Sequence, residues 1–232
     1  MAAVAGRRLT RSALLLHPAA KPALFVLALL PVAWLFYGAL TNQLGANPAE
    51  YLIRATGDWT LRILCITLAV TPLRVVTGTP ALARFRRMFG LFVYFYVVLH
   101  LLSYSWFDMG FDVADSAKDI AKRPFILVGF SGFVLLTPLA LTSFNRAVKA
   151  MGARRWQALH KLVYLIAGLA LLHFFWMRAG KNNFAEVGVY AAIIAALLGW
   201  RLRQFWKKRR AVPRARGPEA TPAQMNSGQQ AL

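Results

Sequence analysis

Three histidines stand inside long apolar runs: His100 in 90–106, and His160 and His173 in 156–177. An ionisable side chain is costly to hold in a bilayer, so each marks a functional position by default. Imidazole can ligate a metal while neutral, and paired histidines on neighbouring membrane helices are a means of holding haem iron. The bland alternative is a histidine hydrogen-bonded to the next helix. For His100 and His173 that account needs two separate explanations. For His160, beside Lys161, the two readings balance. His17, beside Pro18, reads as exposed or locally bonded.

Composition dictates what must position these residues. The chain has 232 residues, is 58% hydrophobic and carries a formal charge of +20. A soluble domain would not be so apolar, and a nucleic-acid binder would not gather its apolar residues into long blocks. The one cysteine, Cys65, lies in an apolar run and reads as a packing residue, not part of a disulfide or thiolate cluster. Six runs have roughly the 17–25 residues that cross hydrocarbon: 22–40, 59–76, 88–107, 124–142, 156–177 and 184–200. Polar or turn-forming residues bound them, and the connections are short. The expectation is an all-α membrane protein, a six-transmembrane-helix bundle over 22–206. A basic arm, 1–21, precedes it; Arg7, Arg8 and Arg11 are followed too soon by His17, Pro18 and Lys21 for a cleaved signal. A basic, disordered tail at 207–232 follows.

Charge sets the orientation. Of the 28 basic residues, 20 fall on one side: in the arm, the second and fourth loops and the C-terminal end. Seven of the eight acids lie on the other. The positive-inside rule then puts both termini in the cytoplasm. The basic excess suits anionic lipid, and nucleic acid is not needed to explain it.

Depth decides which histidines can pair. His100 lies thirteen residues past Arg87, and His173 eighteen past Arg155, on spans running the same way. Both fall in the outer half of the bilayer. His160 lies only five past Arg155, roughly 20 Å below His173 in an ideal helix. His100 and His173 are therefore the candidate axial pair. Arg87 occupies the level of His160 on the third span; a guanidinium cannot ligate but can pair with a propionate or phosphate. A side chain thirteen residues along an ideal helix is rotated by roughly 140°. A second, inner haem thus needs an unusual partner or a local helix irregularity. Arg62, near the outer end of the second span, reads equally as a propionate partner or as a snorkelling surface residue. Trp106, Trp176 and Tyr104 read as an interfacial aromatic belt.

The segments LHLLSY (99–104), RWQALHKLVYL (155–165), HFFW (173–176) and ITLAVTPLR (66–74) resemble the MsrQ (YedZ) family over nearly the whole chain. These are haem-binding membrane subunits of the periplasmic methionine-sulfoxide reductase system, within the ferric-reductase-like transmembrane superfamily. The resemblance implies a haem b, with room for a second, and bound FMN. It also implies electrons arriving from quinol or a cytoplasmic flavin reductase and passing to a periplasmic molybdopterin-containing reductase of methionine sulfoxide. The superfamily's wider pattern has two histidines on each of two helices; this sequence has Arg87 where the fourth would stand.

No GxGxxG follows a strand, and no nucleophile or general-base constellation is evident, so an electron conduit served by a separate donor is expected. The rivals are a free-standing transmembrane ferric reductase and a non-redox histidine-bearing transporter. Asp108, Asp112, Asp115 and Asp119 form an outer acidic cluster. They would either dock the partner or, with Asp112 as N-cap, start a short helix at 113–120.

Overall fold

The computed structural model describes residues 13–180 and 184–211. The expectations for Arg7, Arg8, Arg11, Lys181 and the tail beyond 211 fall outside them. Among the described residues every regular element is helical. In chain order the helices are α1 (Ala20–Leu40), α2 (Pro48–Thr77), a 3-10 turn (Pro80–Phe85), α3 (Arg86–Phe107), α4 (Val113–Lys122), α5 (Pro124–Leu141), α6 (Asn145–Met151), α7 (Ala153–Leu159), α8 (Leu162–Ala179) and α9 (Ala185–Ala211). Six stretches are long and apolar enough to cross a membrane. They expose large apolar side chains outward, Trp34, Phe36 and Leu40 on α1 among them. Water would penalise that surface and lipid does not. The chain is a multi-pass membrane protein.

The longest helix, α2, starts eleven residues before the apolar run that marks it. Asn47 caps it by accepting from the Glu50 amide at 3.1 Å, and Pro48 fills the first helical position, where its missing N–H costs nothing. Gly78 ends it in the left-handed region at φ 62°. Thirty residues span about 45 Å, more than the roughly 30 Å of hydrocarbon. The extra turns carry Glu50, Arg54 and Asp58, whose charges hide them from hydropathy.

α2 and α3 pack along each other at the centre. Leu61, Leu64 and Leu68 meet Phe92, Val93 and Tyr96, with Leu136 of α5 and Ile166 and Ala167 of α8 closing the core. Cys65 is buried among them. Tyr96, wholly buried, also ties down α1: its hydroxyl donates to Ala28 O (2.9 Å) and accepts from Val32 N (3.2 Å). A straight helix would join that amide and carbonyl directly. Pro31 lies between them, and a side chain inserted beside a proline is a recognised cause of helix bending.

The fifth apolar run is two helices. α7 ends at Leu159 and α8 begins at Leu162, with His160 and Lys161 in a turn. His160 Nδ1 lies 3.0 Å from Trp156 O and its ring stacks on the Trp156 indole at 3.9 Å. Across the junction the Lys161 and Val163 amides bond three residues back, to Ala158 and His160. This is the tighter 3-10 pattern. The rotation of His160 relative to His173 expected for a straight helix does not apply. Between α3 and α5, α4 forms as a separate short helix, Val113–Lys122, with Asp112 accepting from the Asp115 amide as its N-cap.

Candidate functional site

Among the described residues two cavities lie between the helices, termed outer and inner after the orientation expected from the charges. The outer one, about 260 Å³, is lined by His100 and His173 and by Leu64, Val97, Phe125 and Phe133. His100 comes from α3 and His173 from α8, yet their ring centroids lie 6.1 Å apart with planes at 72°. Two metal–nitrogen bonds of about 2 Å, plus about 1 Å from each ring centre to its nitrogen, bridge such a gap with one ion. Each Nδ1 is already committed to backbone. His100 Nδ1 is 2.8 Å from Ile53 O on α2, and His173 Nδ1 is 2.6 Å from Phe125 O on α5. A carbonyl can only accept, so each Nδ1 carries the proton and each Nε2 keeps its lone pair.

Among the described residues no three His, Cys, Asp or Glu side chains gather as a cage for a bare ion. Two neutral imidazoles in an apolar slot instead suit a metal that brings its remaining ligands with it, as in a porphyrin. Charged groups collect at the mouth. Arg54, Arg123 and Arg178 line it together with Asp58 and Asp108. Arg54 Nε is buried and has no hydrogen-bond partner among the described residues, although its Nη2 pairs with Glu50 at 2.7 Å. Burial pushes the Asp108 carboxyl up from its ordinary value, while nearby Arg123 works against that shift.

Arg62 stands elsewhere. It packs over the Trp59 ring at 4.8 Å and bonds the Tyr190 hydroxyl at 3.2 Å, outside the cavity lining. The sequence reading did not single out Arg54, Arg123 or Arg178 for this site. By sequence they are only charges near span ends, because the extra turns of α2, the corner between α4 and α5 and the last turn of α8 that carry them to the cavity leave no hydropathy signal. The outer acids are mostly committed within the protein. Asp115 pairs with Lys118, and Asp119 accepts from Tyr104 (2.6 Å) and pairs with Arg123 (2.7 Å).

The inner cavity brings together His160, Trp156 and three guanidinium residues, Arg86, Arg87 and Arg201. Arg87 and His160, matched in depth by sequence, do line one cavity. His160 Nε2 is buried without a partner among the described residues, and so is Arg201 Nε. Arg87 Nη1 reaches Asn145 Oδ1 (2.6 Å), and Arg201 reaches Tyr164 and Leu68 O. Leu64, Val93 and Leu136 line both cavities. His17 belongs to neither; its Nδ1 accepts from the Ala19 amide at 3.2 Å.

A membrane bundle with two facing histidines between its helices is the architecture of a ferric-reductase-like transmembrane protein. The family model "Ferric reductase like transmembrane component" matches residues 56–172. Curated relatives named "Protein-methionine-sulfoxide reductase heme-binding subunit MsrQ" are similar over most of the chain. The protein from Polaromonas naphthalenivorans is 81% identical over 84% of this chain and 90% of its own length. That from Herminiimonas arsenicoxydans is 54% identical over 82% and 87%, and that from Xanthomonas campestris 43% over 88% and 95%. The chain belongs to the MsrQ family. No solved structure matches it.

Proposed function

We propose that this chain is the haem b subunit of a methionine-sulfoxide reductase system and carries electrons across the inner membrane. His100 and His173 would hold the haem iron through Nε2, and Arg54, Arg123 and Arg178, which line the same cavity, would pair with its carboxylates. Haem, when bound, supplies reversible one-electron chemistry at iron. The protein's part is to fix the ligands, exclude water and set the charge at the mouth. Electrons come from quinol or a cytoplasmic flavin reductase. The acceptor is a periplasmic molybdopterin-containing partner that reduces methionine sulfoxide in oxidised proteins.

The inner cavity is the intake side. Its three guanidinium groups suit the phosphate of FMN, bidentate recognition that arginine provides and lysine does not. A haem at that level would find His160 Nε2 but no second histidine, since Arg87 holds the facing position. In this reading 1–21 and 207–232 are cytoplasmic extensions of the domain at 22–206.

One observation carries the proposal: two imidazoles 6.1 Å apart, each with Nδ1 held by a carbonyl of a different helix. The test is the dithionite-reduced minus oxidised spectrum of the purified protein and its His→Ala variants. The parent should show a low-spin b-type α band. His100→Ala and His173→Ala should each lose that band, while His160→Ala keeps it. A normal six-coordinate spectrum in both of the first two variants refutes the pairing, and a colourless parent refutes haem altogether.

A further inference from the structure

His100 and His173 are docked in the same manner on two different helices. The carbonyl that holds His100 is Ile53 on α2, and the ring lies against Gly57, four residues on. The carbonyl that holds His173 is Phe125 on α5, and that ring lies against Gly129, again four residues on. Residues four apart share one face of a helix, one turn from each other. In both places a histidine from one helix enters a notch made by a carbonyl and a missing side chain on the next.

A methyl group does not fit the Gly129 notch, and fits the Gly57 notch only if His100 gives way by a few tenths of an ångström. A Cβ on Gly129 would come within 2.8 Å of His173 Nδ1, closer than real Cβ contacts allow. A Cβ on Gly57 would lie 3.1 Å from His100 Cε1 and 3.2 Å from its Nδ1. By contrast a Cβ on Gly168, on the same helix as His173, would meet nothing within 4 Å. Glycine inside a helix costs roughly 0.5–1 kcal/mol relative to alanine. Two glycines placed where alanine would push a histidine off its carbonyl do something that alanine cannot.

We propose that Gly57 and Gly129 are positioning residues for the haem ligands. By omitting a methyl group, each lets its histidine donate Nδ1–H to the carbonyl one turn earlier. That bond fixes Nε2 as the ligating nitrogen, fixes the ring plane and raises the ligand's basicity. A more basic imidazole favours ferric over ferrous iron, so the notches hold the midpoint potential down. The two are unequal. The bond from His173 to Phe125 O (2.6 Å) is shorter than that from His100 to Ile53 O (2.8 Å), and the clash at Gly129 is the closer. The Gly129 notch is therefore the stronger lever.

The inference rests on the assignment of His100 and His173 as ligands, and the experiment separates the two. Gly57→Ala, Gly129→Ala and the control Gly168→Ala are purified with haem, then titrated potentiometrically and examined by electron paramagnetic resonance. Gly129→Ala should lose about tenfold of the site's preference for ferric iron, a rise of about 59 mV, with Gly57→Ala shifting less in the same direction. Both should change the g-anisotropy, which follows the angle between the imidazole planes. Gly168→Ala should match the parent. Parent potentials and g-values in both notch variants overturn the inference and leave the ligand assignment standing; a parent without a bis-histidine signal defeats the assignment itself. Should neither notch variant accumulate in the membrane, His173→Gly supplied with imidazole or 1-methylimidazole decides the matter. Only imidazole has an N–H for Phe125, so it should give the lower potential, and equal potentials overturn the inference.

Discussion

Arg178 serves two carboxylates at once, with Nη2 3.2 Å from Asp58 and 2.8 Å from Glu186. It sits in the last turn of α8, where a cation meets the negative end of the helix dipole, and it covers the Phe174 ring at 5.0 Å. Asp58 lines the outer cavity with only 21% of its side chain exposed, so losing its cation would leave a carboxylate poorly solvated. Arg178→Leu should therefore destabilise the protein by about 2 kcal/mol, read as a lower unfolding midpoint in detergent. Adding Asp58→Asn should recover part of the loss, since the stranded charge is then gone. Equal midpoints in the parent and the single variant would show the pair to be ornamental. The same local logic governs His100 and His173, whose matched depth is legible in their spacing from charged residues. The notches at Gly57 and Gly129 were not visible in that way. An isolated glycine in an apolar run announces a close contact but not with what.

Tyr96 shows how much a single helix depends on its neighbour. Its hydroxyl is the shared partner of Ala28 O and Val32 N around Pro31, and α1 otherwise buries only Leu35 and Gly38. Tyr96→Phe removes that partner from two backbone groups with no water to replace it, at a cost of about 1–3 kcal/mol. Faster proteolysis at the start of the bundle or a lower unfolding midpoint would register the loss; unchanged values would mean that α1 closes its own hydrogen bonds. Six apolar spans were legible because bilayer length and hydropathy act on every residue of a span. The first turns of α2 were not, because Glu50, Arg54 and Asp58 are charged although helical. The break between α7 and α8 was illegible for a different reason. His160, Lys161 and their neighbours keep the apolar run intact, and the competition of His160 Nδ1 for the Trp156 carbonyl appears only in three dimensions. That break is a local helix irregularity of the kind that lets His160 face the inner cavity, where it stands beside Arg87 as their depths imply.

At the scale of the whole molecule the two cavities sit at opposite ends of one bundle. Arg86, Arg87 and Arg201 gather at one end, while Arg54, Arg123 and Arg178 stand with Asp58 and Asp108 at the other. With 20 basic residues in the loops and termini of the inner side, a reporter fused after residue 232 should be active in the cytoplasm and silent in the periplasm. The opposite result would invert the direction of transport. The layer of Leu64, Val93 and Leu136 shared by the cavities then acquires an electrical meaning. Aliphatic side chains form a barrier that ions and hydrated protons cross only at great cost, whereas an electron needs no path of polar groups. On the proposed function the bundle would behave as an insulated conductor. Outward electron flow moves negative charge away from an inside-negative face, a gain of about 2.3 kcal/mol per electron for each 100 mV. A cell with an energised membrane would thus drive repair outside harder than the redox difference alone, and would spend voltage each time it did so.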